Sequence, residues 1–404
     1  MNAKKLMVNF TFCVYLSGLI TILIGCGDKN IGAQKTFPAA EWEKSSPESQ
    51  GIDSAKLQSA MDYLTNLYEG SGPGGIIIIR NGYNIWNTNE IDKHHNLYSA
   101  GKIWFALAAG KMVEEGYCNM DSPVREWEPL LSTYDGYEKM TLHHLLTFTS
   151  GYDAVNPGHL DKWDNLNDDW SVTPFNPSTP LFAPGTAFLY WDDAVHMLIR
   201  VLTSKLGQTM ESYVRSKITD PIGLTDFTWD KISDVFPGYD ESKISGVDIN
   251  AIYIYTSASQ FARLGYLFLN KGKWNGIQVI EKSFVEDVTK NQVPATISLY
   301  KNINTDTNFI MGEHADLDGR GCSGYMVWVN GIEANGKRHM PDAPPGTYYA
   351  NGGWSLLFVI PEWNMVIART GEYRPKGGVV SAYNETLKRI GEAIKDDKPT
   401  IRGE

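Results

Sequence analysis

Cysteine is scarce in this 404-residue chain: four occur, at 13, 26, 118 and 322, and the first two lie in an apolar N-terminal stretch. A dense disulfide framework of the kind that staples small exported domains is therefore excluded. Cys118 and Cys322 remain as one possible pair, and two separate thiols fit the sequence equally well. There is no C-x-x-C and no His-rich cluster. His94-His95 and His143-His144 are adjacent pairs that point in different directions on a helix or strand and make poor metal-ligand sets. Excess basic charge is also missing. Lys plus Arg number 36 against 47 Asp plus Glu, a net charge of -11, so no face can neutralise the phosphates of a nucleic acid. A G-x-S-x-G nucleophile elbow is absent. The nearest approach, Gly321-Cys322-Ser323-Gly324, fails the pattern and argues against a Ser-His-Asp hydrolase. No internal repeat is visible, and nothing calls for a cofactor.

What is present suffices for a large core, with 42% hydrophobic and 21% charged residues arranged in one large domain or two interleaved ones. Lys4 and Lys5 precede an apolar run from Leu6 to Gly25, the charged start and apolar centre of an export signal. A retained membrane helix is the alternative, but Asn9, Thr11, Ser17 and Thr21 dilute the run. Leu23-Ile24-Gly25-Cys26 resembles the bacterial lipoprotein cleavage box, which implies a 1-26 signal peptide, lipidation of Cys26 and attachment to a membrane of the cell envelope. Residues 27-40, small and polar, then read as a tether, 41-395 as the folded body and 396-404 as a frayed tail.

Along the body, Ser54 to Tyr68 has helical spacing behind an N-cap serine, with Leu57, Met61, Leu64 and Leu67 on one stripe. Gly75 to Arg80 and Tyr83 to Trp86 flank Asn81-Gly82, a strong hairpin signal. Ser99 to Glu115 is predicted to be helical from its first residue. The block from about 120 to 250 reads as a helical insertion, including Leu142–Leu146, Ala194–Leu206 and Met210–Lys217. Helices follow at Ser257–Asn270 and Glu281–Lys290. Strands return at Tyr325–Val329, Trp354–Ile360 and Met365–Arg369, and Val380 to Lys395 is a closing helix. Strands at both ends around a helical block predict a discontinuous α/β domain with an inserted helical domain and a cleft between them.

Within this frame, Ser99-Ala100-Gly101-Lys102 is an S-x-x-K motif. Residues three apart share a helical face, so the ammonium of Lys102 can reach the Ser99 hydroxyl, and a helix N-terminus would offer N–H groups to an oxyanion. Taken alone the motif is weak, since Ser298 to Lys301 also matches it.

Further segments in order strengthen it. Leu145-Leu146-Thr147-Phe148-Thr149-Ser150-Gly151 resembles the LLTHTSG segment of the beta-lactamase-related serine hydrolases, which include class C beta-lactamases, D-amino-acid peptidases and family VIII esterases; Phe148 stands in place of the usual His. Pro184-Gly185-Thr186 leading to Tyr190-Trp191-Asp192 resembles their P-G-x-x-x-x-Y-x-N motif. Asn270-Lys271-Gly272-Lys273-Trp274-Asn275-Gly276 is similar to their LxxGKWNG turn, and Asn351-Gly352-Gly353 stands where a K-T-G, H-x-G or W-G-G triplet precedes a strand. The resemblance covers about residues 45 to 395. It implies the penicillin-binding transpeptidase-like fold, an antiparallel sheet flanked by helices with the inserted helical domain. It also implies Ser99 as nucleophile, Lys102 and Tyr190 as its activating partners, and Trp354 as donor of the second oxyanion N–H opposite that of Ser99. The partner is then a small-molecule ester or amide, with no cofactor and no nucleic acid.

Two departures bear on the substrate. Asp192 replaces an Asn, and a carboxylate there favours a protonated Lys102 and moves base duty toward Tyr190. Asn351 replaces a cationic or imidazole residue and removes a partner for a substrate carboxylate. Both argue against an efficient beta-lactamase or carboxypeptidase and for an esterase or amidase acting on a small neutral or cationic acyl substrate. A catalytically silent binder of exported ligands or cell-wall peptide is the competing class. The acidic stretch Asp161 to Asp169, with Trp163 and Trp170, reads as a solvated loop or as part of the cleft mouth.

Overall fold

A computed structural model describes residues 36–68, 72–154, 175, 177–235, 247–300 and 317–395. The signal, Cys26, the acidic stretch 161–169 and the tail 396–404 lie outside the described residues.

The chain opens with α1 (Ser54–Asn66), whose N-cap Asp53 accepts the Lys56 N–H. Strands β1 (Gly75–Arg80) and β2 (Tyr83–Asn87) follow. Asn81 and Gly82 both adopt positive φ, 54° and 90°, the left-handed pair that a two-residue hairpin requires. After β3 (His95–Asn96) come α2 (Ile103–Glu114), α3 (Leu142–Leu146) and α4 (Asp192–Leu206). Then follow β4 (Phe227–Lys231), β5 (Asn250–Thr256) and α5 (Ala258–Leu269). The chain finishes with β6 (Trp328–Val329), β7 (Tyr348–Asn351), β8 (Leu356–Ile360), β9 (Met365–Thr370) and α6 (Val379–Ala393).

The main sheet is antiparallel, in the order β6-β7-β8-β9-β1-β2. Its central strands are buried on both sides, and the period of two sorts their residues. Ile76, Ile78, Phe358 and Ile367 pack on α1 and α6, while Ile77, Ile79, Leu357 and Val366 face α5 and the rest of the body. Each such side chain contributes about 1.5–3 kcal/mol on burial. On the α5 side Gly265 permits close packing, since a Cβ there would lie 2.7 Å from Val366.

The second half of the molecule is built around α2 and α4. Both are buried over most of their circumference, which marks them as interior helices rather than surface ones. The block expected to be helical also contains a strand, β4, and β5 follows at its end; both form a small sheet with β3, in the order β3-β5-β4. The missed signal was the run Asn250-Ala-Ile-Tyr-Ile-Tyr-Thr, rich in β-branched and aromatic residues.

Other boundaries moved for local reasons. The strand expected over Tyr325–Val329 is confined to Trp328–Val329, because Met326 takes φ 56° and breaks the extended run. The last strand pair starts at Leu356 rather than Trp354. The tether expected over 27-40 does not extend through its described part: Phe37 packs edge-on against Tyr266 and Trp274, and the Tyr266 hydroxyl donates to the Thr36 carbonyl at 2.9 Å. Residues 36–40 thus belong to the body. Cys118 and Cys322 are both free, and they pack in different core clusters.

One buried ion pair fixes α4 to the segment before Pro129: Arg200 Nε donates to Glu128 Oε2 at 2.7 Å, with side chains 3% and 2% exposed. Removing one partner strands a charge in the interior, so Glu128→Ala is expected to cost about 3–5 kcal/mol, measured as a loss of unfolding free energy in urea titrations.

Candidate active site

The turn that carries Ser99 is built by backbone and side-chain hydrogen bonds around β3. The Leu97 N–H donates to the Ile254 carbonyl at 2.8 Å, and the Tyr98 N–H to Asn96 Oδ1 at 2.7 Å. From the turn between β7 and β8, Ser355 Oγ donates to the Asn96 carbonyl at 2.8 Å. Ser99 is not in the first turn of an α-helix, as the sequence predicted. It sits in a 3-10 turn, Tyr98–Lys102, and α2 begins only at Ile103. The correction strengthens the spacing argument, because side chains three apart eclipse in a 3-10 turn. Lys102 Nζ donates to Ser99 Oγ at 2.5 Å.

Lys102 is 2% exposed, and Asp192, the first residue of α4, meets its Nζ at 2.8 Å. Burial alone would drive the ammonium toward its neutral form. The negative charge of Asp192 and the Tyr190 hydroxyl outweigh it, and the Lys102 pKa ends well above its ordinary value. The neighbouring Asp193 is treated oppositely: burial first, then Asp153 and Asp192, push its carboxyl up to about 8. One carboxylate therefore balances Lys102, while burial disfavours a second charge beside it.

Tyr190 lies with its ring 4.9 Å from Lys102 Nζ. Phe148 stacks on one face of that ring, 4.4 Å between centroids and 26° between planes. The Leu189 N–H donates to the Phe148 carbonyl at 2.9 Å, which ties the two segments together. The residue that replaces the expected His thus becomes an aromatic wall.

The turn Asn351-Gly352-Gly353-Trp354 closes the other side. A Cβ on Gly352 would stand 2.2 Å from the Leu97 carbonyl oxygen and 3.2 Å from the Ser99 nitrogen, so only glycine lets the two backbones approach this closely. Asn351 Oδ1 accepts the Gly353 N–H at 2.7 Å, using the side chain to shape the turn. Trp354 has its ring 4.5 Å from that of Tyr98 and carries the Arg374 guanidinium 4.5 Å over its face.

Ser99, Lys102, Tyr190 and Asn351 line one narrow pocket; Asp192 lies behind Lys102, and Gly352 behind Ser99. Ser323, Met326, Val327 and Trp328 complete the wall, and sequence reasoning missed them. Ser323 was inspected only as a failed elbow, and no motif surrounds the others. Three residues of the site hold positive φ without being glycine: Tyr98 at 49°, Phe148 at 58° and Met326 at 56°. Such strain concentrates where a wall must be placed regardless of local preference.

A hydroxyl beside a buried lysine and a tyrosine, with backbone close by on both sides, is the arrangement of a serine acyl-transfer enzyme. The chain belongs to the Beta-lactamase family, whose sequence profile matches residues 69–377, and it shares that family's serine-hydrolase fold. Among curated relatives, Esterase EstB of Burkholderia gladioli is 32% identical over 150 residues, covering 33% of this chain and 38% of EstB. Among solved structures, a penicillin-binding protein homologue from Caulobacter crescentus superposes with a TM-score of 0.58 at 15% identity, over 85% of this chain and 98% of that one. A mutant simvastatin synthase from Aspergillus terreus gives 0.59 at 18% identity, over 85% and 98%. At these identities the two structures speak for the fold alone.

The contact of Gly352 with the Ser99 turn has a measurable consequence. Gly352→Ala must displace backbone rather than a flexible side chain, and a shift of this order costs about a hundredfold in reactivity. The expected result is slow fluorophosphonate labelling of Ser99 in a protein whose thermal unfolding is otherwise cooperative.

Proposed function

We propose that the protein is an ester- or amide-cleaving serine hydrolase that works through an acyl-enzyme on Ser99. The contact of Lys102 with both Ser99 and Asp192 carries this reading. With Lys102 held as an ammonium, it serves as donor and electrostatic anchor rather than as base. The Ser99 proton then leaves toward Tyr190. Charge balance requires Tyr190 to enter that step as phenolate, and the adjacent cation compensates the charge. Ser99 Oγ bonds the substrate carbonyl carbon, the carbonyl oxygen takes the negative charge, and the N–H groups of Ser99 and Trp354 receive it. The tetrahedral species collapses with loss of the alcohol or amine, which recovers the proton from Tyr190. Water repeats the sequence to free the acid.

An ester is the favoured substrate class. The name of the Burkholderia relative points that way, and Asn351, engaged with Gly353, is ill-suited to bind the carboxylate of a beta-lactam or a peptide C-terminus. Arg374 stands beside Gly353 with its guanidinium over the Trp354 ring.

Labelling the full-length protein in detergent with a fluorophosphonate, and locating the adduct by peptide mass spectrometry, tests the assignment. The adduct is expected on Ser99 and absent from Ser99→Ala. Tyr190→Phe is expected to lower the labelling rate about 10²–10⁴-fold. A folded wild-type protein that takes no label would leave the silent-binder reading in its place.

We further propose export and lipid attachment at Cys26, on the strength of the Leu23-Ile24-Gly25-Cys26 sequence. In a bacterial host, radiolabelled palmitate should enter the wild type and not Cys26→Ser, with the variant recovered outside the membrane fraction. Equal labelling of both would sink the anchor.

A further inference from the structure

Next to Tyr190 stands a polar cluster that the mechanism above does not use. Trp328 lies parallel to Tyr190, 6.2 Å between centroids and 21° between planes. Behind Trp328 stands His339, again parallel, at 5.9 Å and 10°. His339 is 7% exposed and both its nitrogens are engaged. Nδ1 lies 2.7 Å from Glu333 Oε1, and Nε2 lies 2.6 Å from the Tyr349 hydroxyl. A carboxylate accepts only, so Nδ1–H donates to Glu333 and, in the neutral ring, Nε2 accepts the Tyr349 proton. Tyr349 is itself the cross-strand partner of Trp328, and its ring lies 6.4 Å from the indole.

The loop that delivers His339 is pinned rather than loose. Asn330 Nδ2 donates to the carbonyls of Met340 and Pro344, its Oδ1 accepts the Met340 N–H, and the His339 N–H donates to Gly331. The other Glu333 oxygen accepts from Asn335. This saturation far exceeds what filling the space behind an indole demands, since an aliphatic side chain would do that without buried polar atoms to satisfy. What the network adds is a fixed plane. An imidazole tied at both nitrogens and through its Cβ is fixed at three points, which sets its plane, and the parallel indole packs against that fixed plane as it packs against Tyr190.

We propose that His339, oriented by Glu333 and Tyr349, is a positioning residue that sets the plane of Tyr190 through Trp328. The inference rests on the hydrolase reading for its catalytic consequence and on geometry alone for the positioning.

The test measures p-nitrophenyl acetate hydrolysis by the full-length protein, with rates divided by the amount of Ser99 titrated with fluorophosphonate, so that misfolded protein drops out. His339→Ala is expected to lose about tenfold or more in kcat with KM within about twofold, and Tyr349→Phe, which keeps the ring and loses one anchor, about threefold. Both melt cooperatively. A purely structural role would lower the melting temperature and leave kcat per titrated serine at the wild-type value, which would overturn the proposal. A wild type without turnover or labelling overturns the hydrolase reading instead. The crystal structure of H339A then decides alone: a displaced Tyr190 ring supports positioning, and a ring in its original place overturns it.

Discussion

A lysine with almost no access to water keeps its proton here because a carboxylate sits 2.8 Å away. Without Asp192, burial would favour the neutral amine, and the contacts to Ser99 and Tyr190 would change character. The surrounding architecture follows from holding that pair. Asp192 is the first residue of α4, where a negative charge also suits the helix dipole. The helix is fastened further along by Arg200 and Glu128. Lys102 ends a 3-10 turn that is fixed at two points at once, through Ile254 and Ser355. Charge pairing, helix placement and sheet packing are one problem solved together.

The site also draws on several layers of the fold at once. The small sheet and α2 present Ser99 and Lys102, α4 and the segment before it present Asp192 and Tyr190, and the main sheet contributes the Asn351-Gly352-Gly353 turn and Trp328. No single layer carries enough of the chemistry to act alone. The close approach at Gly352 is where the main sheet and the Ser99 turn meet, and it leaves no room for any side chain.

Much of this was legible in the residues. The Asn-Gly hairpin, the Ile-rich strand, the closing helix and the S-x-x-K spacing each express a local rule, and each lies within a few residues of where the rule puts it. The Ser99-to-Lys102 turn was misjudged in type because i,i+3 spacing does not distinguish a 3-10 turn from an α-helix. β4 falls inside the block expected to be helical and β5 in the unassigned stretch just past it, since short alternating runs carry little signal beside long helices. Ser323, Met326 and Trp328 could not be found at all. They owe their place in the pocket to a backbone reversal at Met326 and to pairing with Tyr349, both set by tertiary packing.

Three non-glycine residues hold left-handed conformation at the site: Phe148 and Met326 line the pocket, and Tyr98 precedes Ser99. Each costs of order 1–3 kcal/mol relative to a relaxed backbone, so the surrounding core must overrule local preference at three places to keep the walls where they are. Glycine would relieve that backbone cost but would delete the buried Phe148 and Met326 side chains, a loss of about 2–5 kcal/mol each. The same side chains that shape the pocket thus hold its strained torsions in place, and neither can be relaxed without the other.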